Sequence, residues 1–185
     1  TVVKEMNKEI IKIEGANIVL AGKNAAYVES KDEEFLNYFK NYYSKNVWVE
    51  DLTKIENEQF IKIAINHNGG TEQNVFPKVF QFEKHGLKVV VSGEVWLDIM
   101  NEGSNKGIAL QALMNKLNIT SEEIIVFGDF MNDLEMLNLG KYSFAMQNAH
   151  PIVKNAANFL APSNDEDGVL QIIKKYLQQL KTVNT

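Results

Sequence analysis

Ile124-Ile125-Val126-Phe127-Gly128-Asp129-Phe130-Met131-Asn132-Asp133 joins a short apolar run to a cluster of polar side chains. The apolar run at 124–127 is too short for a helix and suits a strand buried on both faces, as in a parallel sheet. It ends in a glycine and a carboxylate, followed three and four residues later by an amide and a second carboxylate. Ligands of open α/β sheets sit at such C-terminal strand ends. Two carboxylates crowded there repel each other unless a cation is present. Hard oxygen donors suit Mg²⁺, which takes one or two carboxylates and shares its other positions with water and phosphate. A plainer reading stands beside this one: Asp129 starts a turn, and Asn132 or Asp133 only caps the next helix.

Outward from this strand, helix and strand alternate from Asn105 onward, which predicts α/β architecture with a parallel sheet. Leu110, Leu113, Met114 and Leu117 place an apolar stripe on a first helix. A helix from about Asn132 to Leu139 is expected to stop at Gly140 as a C-terminal cap. A strand at Ser143–Met146, a short helix after Pro151, a strand at Asn158–Ala161 and a last helix complete the region. Ser163 and Glu166 have capping-box spacing ahead of Leu170, Ile173, Leu177 and Leu180. Lys106-Gly107 opens the first of these helices, 23 residues before Asp129 (129 minus 106). A lysine at the positive end of a helix costs about 0.3 to 1 kcal/mol unless it faces an anion. Phosphate is the natural anion there, because free N–H groups and the ammonium both meet it.

Before residue 103 the pattern differs. Asn17–Leu20, Ala25–Glu29, Val47–Glu50, Phe60–Asn66, Leu87–Ser92 and Val95–Met100 read as strands, most of them paired in hairpins through turns at Gly22-Lys23-Asn24 and Ser92-Gly93-Glu94. Asp32 is expected to cap a helix carrying Phe35, Phe39 and Tyr42. A second helix begins near Thr71 and is interrupted by Pro77. Trp48 and Trp96 are expected to pack in the core of this region.

The chain has 185 residues, 45% hydrophobic and 23% charged, enough for one ordinary domain or two small ones with a buried core. Its net charge of −5 leaves no basic stripe for nucleic acid. Cysteine is absent, which removes disulfides, thiolate zinc sites and cysteine nucleophiles and suits a reducing, cytoplasmic setting. No apolar run approaches the roughly 18 to 20 residues of a membrane helix. Histidines at 67, 85 and 150 form no i, i+4 pair, so a zinc site is not expected. His67-Asn68-Gly69-Gly70-Thr71 reads as a turn, since it lacks the Lys-Ser/Thr pair of a phosphate loop.

Together these segments resemble the haloacid dehalogenase (HAD) superfamily of phosphatases, in its Cof-like group with a large inserted cap. Gly128-Asp129-Phe130-Met131-Asn132-Asp133 is similar to the family's acidic metal motif, and Asn105-Lys106-Gly107-Ile108-Ala109-Leu110 to its lysine motif. Ala145-Met146-Gln147-Asn148-Ala149, Val153-Lys154-Asn155-Ala156-Ala157 and Ser163-Asn164-Asp165-Glu166-Asp167-Gly168-Val169 resemble its C-terminal strings, with Gln147 where glycine is usual. The resemblance implies a HAD-like Rossmannoid core, of which 103–185 would be the C-terminal half, and an α/β cap at 1–102. It implies Mg²⁺-dependent hydrolysis of small phosphorylated metabolites such as sugar phosphates through an aspartyl-phosphate. Asp129 would bind Mg²⁺ directly, and Asn132 and Asp133 would support it, Asn132 also reaching phosphate. Lys106 would be the catalytic cation that neutralises the phosphoryl oxygens.

The family's nucleophile, the first aspartate of a DxDGT-type motif after the first core strand, has no counterpart here. The only DxD, Asp165-Glu166-Asp167, follows Ala161-Pro162-Ser163-Asn164 and suits the start of the last helix. The chain is therefore expected to be the C-terminal part of a longer enzyme, inactive alone, with bared apolar sheet surface through which it self-associates. Two rival readings remain: a non-catalytic module that binds phosphorylated ligands, and an α/β domain in which Asp129 merely caps a helix.

Overall fold

The computed structural model describes residues 2–183, with side chains through Gln179, so Leu180 of the expected last stripe lies outside the described side chains. The chain divides into two compact units that meet between Gly103 and Ser104.

The first unit is built on a six-stranded sheet of order β3-β2-β1-β4-β6-β5. Its strands are β1 (Ala16–Gly22), β2 (Ala26–Val28), β3 (Asn46–Trp48), β4 (Phe60–His67), β5 (Leu87–Gly93) and β6 (Trp96–Asn101). The expected turns at 22–24 and 92–94 close antiparallel hairpins, β1 with β2 and β5 with β6. β3 instead runs parallel to β2, because a helix, α2 (Glu33–Phe39), carries the chain back across the sheet. The register Ile18↔Ile65↔Leu97 and Leu20↔Ile63↔Ile99 puts six buried aliphatic residues on one face of the sheet. The other face carries Val19, Val28 and Ala64, which pack with Phe35 and Phe39 of α2. Asp32 caps α2 as expected, accepting from Glu34 N at 3.0 Å and Phe35 N at 3.1 Å. The helix ends at Phe39, so Tyr42 lies past it and is exposed.

Among the described residues the remaining α-helices of this unit are α1 (Val2–Ile10), α3 (Thr71–Asn74) and α4 (Phe76–Val79), beside 3₁₀ turns at Leu52–Lys54 and Phe80–His85. Pro77 sits in the first turn of α4, where its missing N–H is not needed, so it starts a helix there. Trp48 corrects an expectation. It lies on the edge strand β3, is 49% exposed, and donates Nε1 to Ser30 O at 3.1 Å.

The second unit alternates as its sequence demands: α5 (Lys106–Leu117), β7 (Ile125–Gly128), α6 (Leu134–Leu137), β8 (Tyr142–Met146), α7 (Pro151–Ala156), β9 (Phe159–Ala161) and α8 (Gly168–Val183). The three strands are parallel, in order β7-β8-β9. Val126, Leu137, Phe144, Met146, Val153 and Ala161 form the core, with Leu110, Ile172 and Tyr176 packed against it.

Two helix expectations change. The 132–139 segment is a 3₁₀ turn at Met131–Asp133 followed by the single turn of α6, which ends in a right-handed Asn138. Gly140 is not a left-handed cap; a Cβ there would lie 2.7 Å from Val126 Cγ2, so the glycine serves close packing. The expected apolar stripes also extend beyond the core. Met114 is buried, whereas Leu113, Leu117, Leu170, Ile173 and Leu177 are 38–56% exposed. A three-stranded sheet covers only a narrow side of each helix. Leu137, 1% exposed, anchors α6 under β7. Leu137→Ala is expected to cost about 2 to 5 kcal/mol, read as a lower urea midpoint at unchanged slope.

Candidate active site

The site is assembled where β7 ends. Parallel pairing of β7 to β8 runs through Gly128↔Ala145, and the chain then leaves the sheet at Asp129. Gly128 is required by close approach: a Cβ on it would lie 2.6 Å from Asp133 Cβ and 3.0 Å from Leu137 Cδ1. Without that Cβ, the 3₁₀ turn folds Asp133 back beneath the strand end. Its Oδ2 accepts from Asp129 N at 2.9 Å and Phe130 N at 3.4 Å. Its Oδ1 accepts from Lys106 Nζ at 2.5 Å.

Lys106 arrives from the first turn of α5, whose N-cap Asn105 accepts from Ile108 N at 2.8 Å through Oδ1. A second glycine makes this approach possible. A Cβ on Gly107 would lie 2.6 Å from Glu135 Cβ and 2.8 Å from Glu135 C, so α5 and α6 touch only because that atom is missing. The anion expected opposite Lys106 is thus present inside the protein: the buried Asp133 carboxylate. The ammonium stays half-exposed above it.

The four residues singled out in the sequence, Lys106, Asp129, Asn132 and Asp133, therefore occupy one strand end and its facing helix, but in different states. Asp133 is buried with both oxygens engaged. Asp129 is exposed and donates no cap: the capping oxygens belong to Asp133. Asn132 Oδ1 is enclosed and has no hydrogen-bond partner among the described residues. Such an orphaned acceptor asks for a cation or a donor. The Asp129 carboxyl is held above its ordinary pKa, chiefly by partial desolvation and then by the Asp133 charge, with Lys106 opposing. Among the described residues no three His, Cys, Asp or Glu side chains could cage a metal by themselves. The donor set, one open carboxylate plus one orphaned amide oxygen, fits a hard ion that keeps much of its water.

Sequence reasoning missed how neighbouring loops brace the site. His150 N donates to Asp129 O at 2.9 Å, and the His150 ring lies 6.3 Å from that of Phe130. His150 also caps α7 through Nδ1, which accepts from Ile152 N at 3.3 Å. The helix after Pro151 was expected from the sequence, but not that its cap, His150, also holds the acidic loop. The acids of 165–167 lie in a 3₁₀ turn ahead of α8 rather than in the last helix: Glu166 Oε2 accepts from Ser163 N at 3.2 Å and Ser163 Oγ from Asp165 N at 3.1 Å, so the capping box closes on the Asn164–Glu166 turn, which a left-handed Asp167 ends before α8 begins at Gly168.

Because the folded-state pKa of Asp129 is raised, folding disfavours its charged form relative to the unfolded chain. Its contribution to stability is full below the unfolded-state pKa and is lost as pH rises through the folded-state value. Asp129→Asn should therefore stabilise the metal-free chain at neutral pH, by less than about 1 kcal/mol because the group is solvent-screened. The gain should vanish at acid pH, as thermal melts in chelator would show.

A model of the haloacid dehalogenase-like hydrolase family matches residues 2–173. The chain is 32% identical over 162 residues to the 5-amino-6-(5-phospho-D-ribitylamino)uracil phosphatase YbjI of Escherichia coli, covering 87% of this chain and 59% of that protein. It is 30% identical over 166 residues to the phosphatase of the same description, YitU, of Bacillus subtilis, covering 86% and 60%. The crystal structure of SMU.1108c from Streptococcus mutans superposes with a TM-score of 0.84 at 32% identity, over 96% of this chain and 67% of that one. The chain thus spans about three fifths of the length of these curated relatives. With the family model across both units and the acidic loop, lysine helix and parallel sheet in place, the chain belongs to the haloacid dehalogenase-like hydrolases.

Proposed function

We propose that this chain carries the metal- and phosphoryl-binding half of a phosphatase acting on small phosphorylated metabolites, sugar and polyol phosphates among them. The observation that carries the reading is the Lys106–Asp133 pair beside an open Asp129 and an orphaned Asn132 oxygen. Asp129 and Asn132 would hold Mg²⁺, while Asp133, its oxygens already engaged, would act from behind by fixing Lys106 and the 129–130 backbone. When bound, the ion neutralises phosphoryl charge. Lys106 adds a second cation toward the same oxygens and orients the group, and the N–H groups at the start of α5 reinforce it. The named activity of the aminouracil relatives supports a substrate in which a phosphorylated polyol is joined to a larger group. The first unit would serve as the cap that selects it. The absence of cysteine and the charge of −5 suit a cytoplasmic enzyme that binds neither nucleic acid nor membrane, and among the described residues no helix is long and apolar enough to cross a membrane.

Within the described second unit, Asp129 is the one acid that directly follows a sheet strand, and the 165–167 acids belong to a cap. Residues 1–185 alone would accordingly bind phosphate without hydrolysing its esters, as a phospholigand-binding module does. Calorimetry should show inorganic phosphate binding that requires Mg²⁺. Lys106→Ala should weaken it roughly 10- to 100-fold, the worth of one charge-assisted hydrogen bond. Phosphate binding indifferent to both Mg²⁺ and Lys106→Ala would remove the reading. Mg²⁺-dependent p-nitrophenyl phosphate hydrolysis abolished by Asp129→Ala would show the chain to be active by itself.

The apolar residues left open on α5 and α8 lead us to propose self-association of this chain through the second unit. Sedimentation should show concentration-dependent dimers that Leu170→Glu with Leu177→Glu dissociates; a monomer at all concentrations would contradict it.

A further inference from the structure

The first unit has a cavity of about 470 Å³ between α2 and the ends of β4 and β6, lined by Glu34, Phe35, Tyr38, Asn66, Asn68 and Val95. Its volume is in the range of sites for small organic molecules, about 300 to 1,000 Å³. Its wall combines an aromatic shelf with fixed polar groups. The shelf is Tyr38, whose ring stacks on Trp96 at 6.0 Å and 18° between planes and meets Tyr42 edge-on at 5.0 Å. Tyr38 nonetheless remains 36% exposed. An aromatic ring braced on one side by another and open elsewhere offers a flat ligand a surface that needs no rearrangement.

The polar part of the wall is equally pre-set. Asn66 is 1% exposed, and its Nδ2 donates to Val95 O at 3.2 Å, which fixes the amide plane. His67 N donates to the same carbonyl at 3.0 Å. The following turn, which carries Asn68, is tied from both sides. Gly69 N donates to His67 Nδ1 at 3.1 Å, and Asn74 Nδ2 donates to Gly69 O at 2.7 Å and Gly70 O at 3.0 Å. Glu34, on the first turn of α2, sets an exposed carboxylate at the rim. A stacking shelf, the exposed Asn68 amide, which can donate and accept, and a carboxylate that only accepts form the complement of a planar nitrogen heterocycle with ring N–H or amine donors and carbonyl acceptors.

We propose that this cavity binds a planar nitrogen heterocycle of the nucleobase type, stacked on Tyr38. All of its walls belong to the first unit, so binding is independent of the phosphoryl chemistry at Asp129. Hydrophobic burial alone would not select such a ligand; the Asn68 amide and the Glu34 carboxylate at the wall do.

The test uses the full chain with Trp48→Phe, which leaves Trp96, the ring beneath Tyr38, as the only indole. Uridine and adenosine are titrated while Trp96 emission is followed, with ribitol as the ring-free control. Saturable quenching by a nucleoside is expected, weakened roughly tenfold by Tyr38→Ala and also reduced by Asn68→Ala, but unchanged by Asp129→Ala. Both cavity substitutions are at exposed positions, and circular dichroism checks that the fold survives them. Absence of saturation at millimolar nucleoside, equal response to ribitol, or indifference to both Tyr38→Ala and Asn68→Ala would each overturn the proposal.

Discussion

The second unit depends on one buried carboxylate. Asp133 has little exposed surface, and an unpaired charge in that position would cost several kcal/mol by ordinary estimates. Its oxygens accept from three donors drawn from two places in the chain: the ammonium of Lys106 and the backbone N–H groups of Asp129 and Phe130. The same bonds shape the loop at the end of β7 and hold the lysine above it. Loop conformation and the placement of positive charge are therefore one constraint, and neither can change without leaving Asp133 unsatisfied.

Two glycines allow that constraint to be met. Gly128 clears the space that the Asp133 Cβ occupies, and Gly107 lets α5 approach the Glu135 backbone closely enough for Lys106 to reach across. Either glycine could be taken for loop punctuation. Neither has a positive φ, so what each provides is room rather than an unusual backbone conformation. Tight packing of this kind fixes where a lysine ends, because a long side chain on a mobile helix would otherwise spread over many rotamers.

The site illustrates how similar residue types divide their work by environment. Asp129 and Asp133 are four residues apart, but one is open with its charge disfavoured and the other is enclosed with its charge fully paired. The loop thereby keeps one carboxylate available for a ligand while using the other as scaffolding. Asn132, between them, is left with an enclosed oxygen that the protein does not satisfy. An unmet acceptor beside an open carboxylate is the feature through which the fold and the proposed chemistry meet.

Much of this was legible in the sequence because it is carried by local patterns. The apolar run at 124–127, the alternation after Asn105, the Asp32 cap and the Ser163/Glu166 box each depend on residues a few positions apart, so periodicity and hydrogen-bonding capacity suffice to read them. The grouping of Lys106 with the acidic loop was legible as well, since a lysine at a helix start asks for an anion. Tertiary structure decided which anion that is, which of the two aspartates is free, and why Gly107 and Gly140 are glycines. It also decided that Trp48 is exposed and that the stripes of α5 and α8 are only partly covered. These depend on close approaches and on how much surface a three-stranded sheet can cover. Such quantities arise between segments distant along the chain, where no local pattern records them.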